Sequence, residues 1–112
     1  MGIDIVIVNW NAGEQLGRCL ASIVRFGSKL VKSVVVVDNA SEDDSLNGID
    51  QFGLPLRVVR NRENLGFARA CNQGAACCDA PYILFLNPDT ELFEKSLVVP
   101  QAFMECEANR NV

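Results

Sequence analysis

The sequence predicts an α/β fold: an open, mainly parallel sheet with helices on both faces. Two observations predict it. Apolar, β-branched runs recur along the 112-residue chain, and segments with the period of an amphipathic helix separate them. Strands that alternate with helices are typical of parallel sheets joined by right-handed crossovers. A hydrophobic fraction of 49% is that of an ordinary globular domain, so we expect a single domain over residues 1–112.

The first half of the chain contains two predicted strands. Residues 3–9 are rich in β-branched side chains and predict the first strand, and residues 34–37 predict the second. A helix from Glu14 to Gly27 lies between them, because apolar residues recur there at i, i+3, i+4, i+7 and i+8. These inward residues are Leu16, Cys19, Leu20, Ile23 and Val24.

A short helix and an edge strand are predicted next. Residues 41–44 (Ser-Glu-Asp-Asp) resemble a capping box, which predicts a helix from Ser41 to about Phe52. Gly53 and Pro55 then mark a turn. Residues 56–59 predict a weaker third strand near the sheet edge.

The third helix is predicted to begin at Gly66 and to lie close to the sheet. Its inward positions follow the helical period and are nearly all small, which lets a backbone approach its neighbours closely. They are Phe67, Ala70, Cys71, Gly74, Ala75 and Cys78.

An apolar run at residues 82–86 predicts a fourth strand, buried on both faces. Pro88 cannot donate to a continuing ladder, so the strand ends at Asn87. A last helix is predicted from about Ser96 or Pro100 to Ala108.

Polar residues follow three of these strands: residues 9–11 (Asn-Trp-Asn), 38–41 (Asp-Asn-Ala-Ser) and 87–89 (Asn-Pro-Asp). A turn or a helix cap explains any one of these segments. In a parallel sheet all three lie along one edge, where ligands bind, and together they favour a shared site. Asp38 is placed to accept hydrogen bonds from a uracil or thymine base or from a ribose hydroxyl. Asp89 can bind Mg²⁺ or Mn²⁺ together with phosphate oxygens, with Glu91 as a second contact or a helix cap.

Several classes of function are disfavoured by the composition. The chain has no His, which removes Ser-His and Cys-His nucleophiles. Five Cys without a Cys-x-x-Cys pair indicate reduced thiols rather than a zinc site. Neither a Rossmann fingerprint nor a Walker loop is present. A net charge of −4 argues against a nucleic-acid partner.

Four segments in this order resemble family 2 glycosyltransferases: residues 6–11, 35–41, 64–72 and 84–89. The resemblance is closest to the rhamnosyltransferase-like branch, which extends bacterial cell-surface polysaccharides. It implies a GT-A fold, a dTDP- or UDP-sugar donor, a divalent cation, and a glycan or glycolipid acceptor. It also implies a cytoplasmic location, including the inner face of the membrane.

The resemblance also implies roles for individual residues. Asn9 and Trp10 would flank the nucleoside, and Asp38 would bind the base. Asn87 and Asp89 would stand at the family's Asp-x-Asp metal motif, with Asn87 in place of the first acid. Three further residues would shape the floor under the ribose and diphosphate: Asn64, Gly66 and Asn72.

The chain is expected to be only the N-terminal, nucleotide-sugar-binding part of such an enzyme. Family catalytic domains are roughly twice as long as this chain. The acceptor half and the acidic general base are therefore expected beyond Val112, and no catalytic residue is assigned within the chain.

Three alternatives remain. A non-catalytic fragment would bind nucleotide or form oligomers, with the apolar strand 82–86 pairing with another chain and Phe103 and Met104 as exposed apolar surface. A nucleotidyltransferase would need a glycine-rich basic loop after the first strand. A response regulator would need an acidic cluster where this chain has residues 9–11 (Asn-Trp-Asn).

Overall fold

The computed structural model describes residues 2–27 and 29–89 as a parallel α/β sheet. The elements are β1 (Ile3–Asn9), α1 (Glu14–Gly27), β2 (Val31–Asp38), a 3-10 helix (Ile49–Phe52), β3 (Leu56–Arg60), α2 (Phe67–Ala76) and β4 (Tyr82–Leu86). The strands are parallel and lie in the order β3-β2-β1-β4. The predicted parallel sheet is confirmed, as is the position of the third strand at an edge. The predicted last helix, Glu91, Phe103 and Met104 lie outside the described residues.

One described helix packs on each face of the sheet, so the predicted placement of helices on both faces is also confirmed. Alternate residues of β1 and β2 pack on α1, with Ile5 and Val34 beside Leu16. The intervening residues, such as Val6 and Val37, pack on the α2 side. This alternation follows from the two-residue period of a strand, and it explains why both strands are apolar throughout.

Helix α1 buries the predicted stripe with one exception. Leu16, Cys19, Leu20 and Ile23 are fully buried, whereas Val24 is exposed and its predicted burial is wrong. Val24 lies about 80° around the helix from Leu16, at the margin of the stripe. No helix among the described residues is long and apolar enough to cross a bilayer.

Helix α2 lies very close to the sheet at Gly74. A Cβ atom on Gly74 would lie closer than 3.0 Å to Cγ1 of Val6 and 3.3 Å from Cγ2 of Val37. The predicted close approach is therefore confirmed, and Ala70 is buried as well. The predicted burial of Phe67 is wrong, since 57% of this residue is exposed. Phe67 is the first residue of α2 and lies beyond the strand ends, where the sheet cannot cover it.

Strand β4 is less buried than predicted. Phe85 is 45% exposed, so burial on both faces is wrong at this position. In the described part of the chain β4 pairs with β1 alone, and α2 packs mainly over β1 and β2. The α2 side of β4 is therefore only partly covered.

The loop after β2 does not form the predicted helix from Ser41. Helical structure is limited to the 3-10 turn at Ile49–Phe52. The hydroxyl of Ser41 donates to Asp38 at 2.6 Å instead of capping a helix. Gly48 has a left-handed backbone conformation immediately before the 3-10 turn. The local capping pattern is thus overridden by a contact with the end of β2.

Candidate functional site

A cavity of about 390 Å³ opens at the carboxyl ends of the strands. Its volume is within the range of small-molecule sites. Its walls come from the segments after β1, β2 and β4 and from the start of α2. The lining residues in the described part of the chain are Val8, Trp10, Asn11, Ala12, Gln15, Asn39, Asn64, Gly66, Phe67, Pro88 and Asp89.

Half of the predicted site residues line this cavity. Trp10, Asn64, Gly66 and Asp89 come from three separate segments and meet there. Among the described residues, four predicted ones are not part of the lining: Asn9, Asp38, Asn72 and Asn87. Asn72 and Asn87 are exposed, whereas Asn9 and Asp38 are buried. The ligand-binding roles of all eight residues stay predictions.

Asn9 and Asp38 join the ends of β1 and β2. The Asn9 amide Nδ2 donates to Asp38 Oδ1 at 2.9 Å and to Ser45 Oγ at 2.9 Å. Asp38 also accepts hydrogen bonds from the Ser41 hydroxyl at 2.6 Å and the Ser41 backbone N–H at 3.1 Å. The Ser41 hydroxyl in turn accepts the backbone N–H of Asn11 at 2.9 Å. The cluster therefore holds the loop after β2 against the segment that carries Trp10.

A chain of three side-chain amides holds the loop before α2. Asn39 Nδ2 donates to the carbonyl of Gly66 at 3.2 Å, and Asn39 Oδ1 accepts from Asn61 Nδ2 at 2.9 Å. Asn61 and Gln73 exchange two hydrogen bonds of 2.8 Å. The ends of β2 and β3 are thereby linked to α2. The sequence analysis missed Asn61 and Gln73, which no spacing pattern marks, and it treated Asn39 only as part of a polar strand end.

Gly66 makes the turn into α2 in a conformation that is essentially restricted to glycine. Its φ is 85° and its ψ is 167°. The side-chain oxygen Oδ1 of Asn64 accepts a hydrogen bond from the Gly66 N–H at 2.8 Å, and Oδ1 of Asn39 accepts one from the Leu65 N–H at 3.4 Å. Hydrogen bonds on both sides of Gly66 thus fix the chain where it enters the helix.

The amino terminus of α2 gives the cavity a partial positive charge. Gly66 and Phe67 both line the cavity, and Gly66 supplies no side-chain cap to the first turn. Uncapped N–H groups and the helix dipole favour an anion at this position. Among the described lining residues there is no Lys or Arg, so the backbone is the source of positive potential.

Asp89 is an exposed carboxylate on the cavity. Among the described residues, no group of three His, Cys, Asp or Glu side chains could hold a metal ion. A Mg²⁺ or Mn²⁺ ion is commonly bound by one or two carboxylates together with substrate phosphates and water. Asp89 is the one carboxylate among the described lining residues, so it is the side chain that would hold such a cation together with the phosphates of a bound ligand.

Asp4 lies at the opposite end of β1 and is structural. It accepts hydrogen bonds from the Ser33 hydroxyl at 2.6 Å and from the backbone N–H groups of Asp79 and Ala80 at 3.0 and 2.9 Å. Burial alone raises the pKa of Asp4, but these hydrogen bonds and the charge of Lys32 outweigh it and hold the pKa below its ordinary value. Asp4 therefore anchors the turn between α2 and β4.

The described cysteines are thiols that form no disulfide with one another: Cys19, Cys71, Cys77 and Cys78. Burial, with the nearby charge of Asp4, raises the pKa of Cys78 to about 11. A thiol with so high a pKa is protonated at neutral pH and is a poor nucleophile.

An open parallel α/β sheet with a cavity at its carboxyl edge is the architecture in which nucleotide-binding proteins commonly bind their ligands. The chain matches the family model "Glycosyl transferase family 2" over residues 4–107, and it belongs to that family.

Proteins similar to this chain include transferases from distant organisms. Human polypeptide N-acetylgalactosaminyltransferase 13 is 34% identical over 95 residues, which cover 79% of this chain and 17% of the human protein. The poly(ribitol-phosphate) beta-N-acetylglucosaminyltransferase TarP of Staphylococcus aureus (strain N315) is 27% identical over 99 residues, covering 85% of this chain and 30% of TarP.

Solved structures confirm the predicted fold. The crystal structure of S. aureus TarS 1–349 in complex with UDP-GlcNAc matches with a TM-score of 0.80 at 22% identity, covering 94% of this chain and 31% of the TarS 1–349 chain. The mannosyltransferase PcManGT from Pyrobaculum calidifontis, in complex with GDP-Man and Mn²⁺, matches with a TM-score of 0.78 at 18% identity, covering 91% of this chain and 31% of that chain. The chain thus spans less than a third of the length of each of these four proteins.

Proposed function

We propose that this chain is the donor-binding part of a glycosyltransferase and binds a nucleotide-diphosphate sugar in the cavity at the carboxyl ends of the strands. The observation that carries the proposal is the meeting of Trp10, the amino terminus of α2 and Asp89 in that cavity. Family membership and the UDP-GlcNAc in the TarS complex support it. The full reaction would transfer the sugar of a dTDP- or UDP-sugar, rhamnose included, to a polysaccharide or glycolipid acceptor.

Each feature of the cavity matches one part of such a donor. The indole of Trp10, which is 57% exposed, offers a flat surface to the base or ribose. The first turn of α2 offers N–H groups to the diphosphate. Asp89 would hold the divalent cation, which when bound offsets negative charge on the leaving diphosphate.

Asp38 is proposed to contact the base from the end of β2. Its Oδ2 atom accepts one hydrogen bond, from the Ser41 N–H, and therefore keeps a lone pair for a base N–H. Asp38 is 4% exposed, so the base would have to insert beside the Ser41 loop.

The acceptor site and the general base are proposed to lie in segments that are not part of these 112 residues. The greater length of the relatives supports this division of roles. We also place the full reaction in the cytoplasm, including the inner face of the membrane, because the thiols among the described cysteines favour a reducing compartment.

Removing the Asp89 carboxylate tests the proposal directly. Isothermal calorimetry with UDP, dTDP and GDP in Mn²⁺ should show binding of at least one nucleotide to the wild type. Asp89→Ala should lower that affinity at least tenfold in Mn²⁺ and leave the weaker affinity in EDTA unchanged, because the carboxylate acts through the metal.

Asp50→Asn is the matched control, since Asp50 is an exposed acid that is not among the lining residues. It should bind like the wild type. Equal affinities of Asp89→Ala and the wild type in Mn²⁺ would refute the metal role of Asp89. No binding of any of the three nucleotides to the wild type would refute the donor-binding function.

A non-catalytic oligomerising fragment is the second candidate. Two observations favour it: among the described strands β4 lies at a sheet edge, and Phe85 on this strand is 45% exposed. An apolar edge strand invites pairing with another chain. Sedimentation velocity at high protein concentration tests it: a dimer that Phe85→Lys dissociates would support pairing through β4, and a monomer would exclude it.

A further inference from the structure

Phe67 is a large apolar residue that its own helix does not bury. It is 57% exposed, as is Trp10, and both residues line the same cavity. They reach it from separate segments, Trp10 after β1 and Phe67 from the first turn of α2. Exposed aromatic side chains that share a cavity form a surface suited to a planar ligand.

The backbone around Phe67 is fixed in advance. Gly66, directly before it, has a glycine-restricted conformation, and its N–H and C=O groups are bonded to Asn64 and Asn39. Asn39 is itself held by Asn61. The loop before α2 is therefore already ordered before a ligand binds, so binding loses little conformational entropy there, which favours affinity.

The polar groups beside the two rings match a nucleobase. Asn11 and Asn64 line the cavity together with Trp10 and Phe67. Asn39 also lines it, but this residue is buried and its amide is already bonded within the loop. Side-chain amides carry both donors and acceptors, as the edge of a base does. An aromatic face with amides at its margin can therefore contact both the flat surface and the edge of a base.

We propose that Phe67 is a nucleobase-contact residue that packs against the base of the bound nucleotide. This inference rests on the proposed nucleotide binding and assigns the base to the part of the cavity between the side chains of Trp10 and Phe67, beside the backbone N–H groups of α2 that are proposed for the diphosphate. Base–aromatic contacts are sequence-tolerant, so Phe67 supplies affinity, while the neighbouring amides supply the choice of base.

The test compares Phe67→Ala, Phe67→Tyr and wild type for binding of the tightest of UDP, dTDP and GDP, and for binding of the corresponding nucleoside, by calorimetry. Phe67→Ala should lose roughly 5- to 150-fold in affinity, which is the range for loss of a base–aromatic stack. The loss should be the same for the nucleoside as for the nucleotide, because the contact is with the base. Phe67→Tyr keeps the ring and should bind within about twofold of the wild type.

Phe85→Ala is the matched control, because Phe85 is also an exposed Phe but is not among the lining residues. It should bind like the wild type. Thermal unfolding should show both alanine variants folded, since neither side chain is buried.

Different failures have different meanings. If the wild type binds nucleotide and Phe67→Ala binds it equally well, the inference is wrong and the proposed function stands. The inference is also wrong if Phe67→Ala weakens the nucleotide but not the nucleoside, because the contact is then not with the base. If the wild type binds none of the nucleotides, both the inference and the proposed function are overturned.

Discussion

Gly74→Ala should destabilise the chain although alanine is the better helix former. The added Cβ atom would lie closer than 3.0 Å to Cγ1 of Val6, 3.2 Å from its Cγ2 and 3.3 Å from Cγ2 of Val37. Ordinary carbon contacts are about 3.5–4.0 Å. Val6 and Val37 are buried and their branched side chains have few rotamers, so either α2 or β1 must move.

The expected size follows from two opposing terms. Overpacking a core costs about 1–3 kcal/mol. Replacing glycine by alanine inside a helix gains about 0.8–1.0 kcal/mol. The net loss should be about 1 kcal/mol and at most about 2 kcal/mol, and each 1 kcal/mol lowers Tm by roughly 4–8 °C in a domain near this size.

Gly17→Ala is the matched control in α1. A Cβ atom on Gly17 would meet Cζ of Phe52 at 4.0 Å, an ordinary contact. The propensity term then acts alone, and this variant should be more stable than the wild type by about 0.5–1 kcal/mol. Urea unfolding followed by circular dichroism measures both variants. If Gly74→Ala were as stable as Gly17→Ala, the close packing of α2 on β1 would be contradicted.

Two further changes test the ends of the sheet. Asp4→Asn should lower the free energy of unfolding at pH 7 by about 2 kcal/mol, because a charged acceptor of three hydrogen bonds is lost. The pKa of folded Asp4 lies below 3.8, so the stability that its carboxylate contributes is fully present above pH 3.8 and is lost as the pH falls through the lowered pKa. Urea titrations should therefore show the stabilities of the wild type and Asp4→Asn converging in acid. A difference in stability that does not change with pH would contradict this. Asn39→Ala should lower stability by about 1–2 kcal/mol and speed amide exchange at Leu65, whose N–H it accepts. Exchange measured by NMR that stays at the wild-type rate would show that Asn39 does not hold this loop.

Features of the fold that neighbouring residues determine could be predicted from the sequence, whereas features that tertiary contacts determine could not. The strands and the small-residue face at Gly74 follow from periodicity, which neighbouring residues set. The helix predicted from Ser41 failed because its hydroxyl bonds to Asp38, a tertiary contact that no capping pattern contains. The exposure of Phe67 was missed because helical spacing gives the direction of a side chain but not where the sheet stops.

The site divides in the same way. Trp10 and Asp89 were predictable as neighbours, because parallel strands bring their carboxyl ends to one edge, whereas Gly66 was expected at the site from the family resemblance alone. The link between Asn61 and Gln73 was not predictable, because these two side chains meet only once β3 and α2 have packed.

The central claim is that separate strand ends bind one nucleotide together with one cation. Paramagnetic broadening of backbone amide NMR signals by Mn²⁺, with and without the nucleotide that binds best, tests it most directly. In the presence of nucleotide, Mn²⁺ should broaden the signals of Trp10, Gly66 and Asp89 and leave those of Val31 and Lys32, at the opposite end of the sheet, sharp. Equal broadening at both ends, or none that depends on the nucleotide, would contradict a shared donor site.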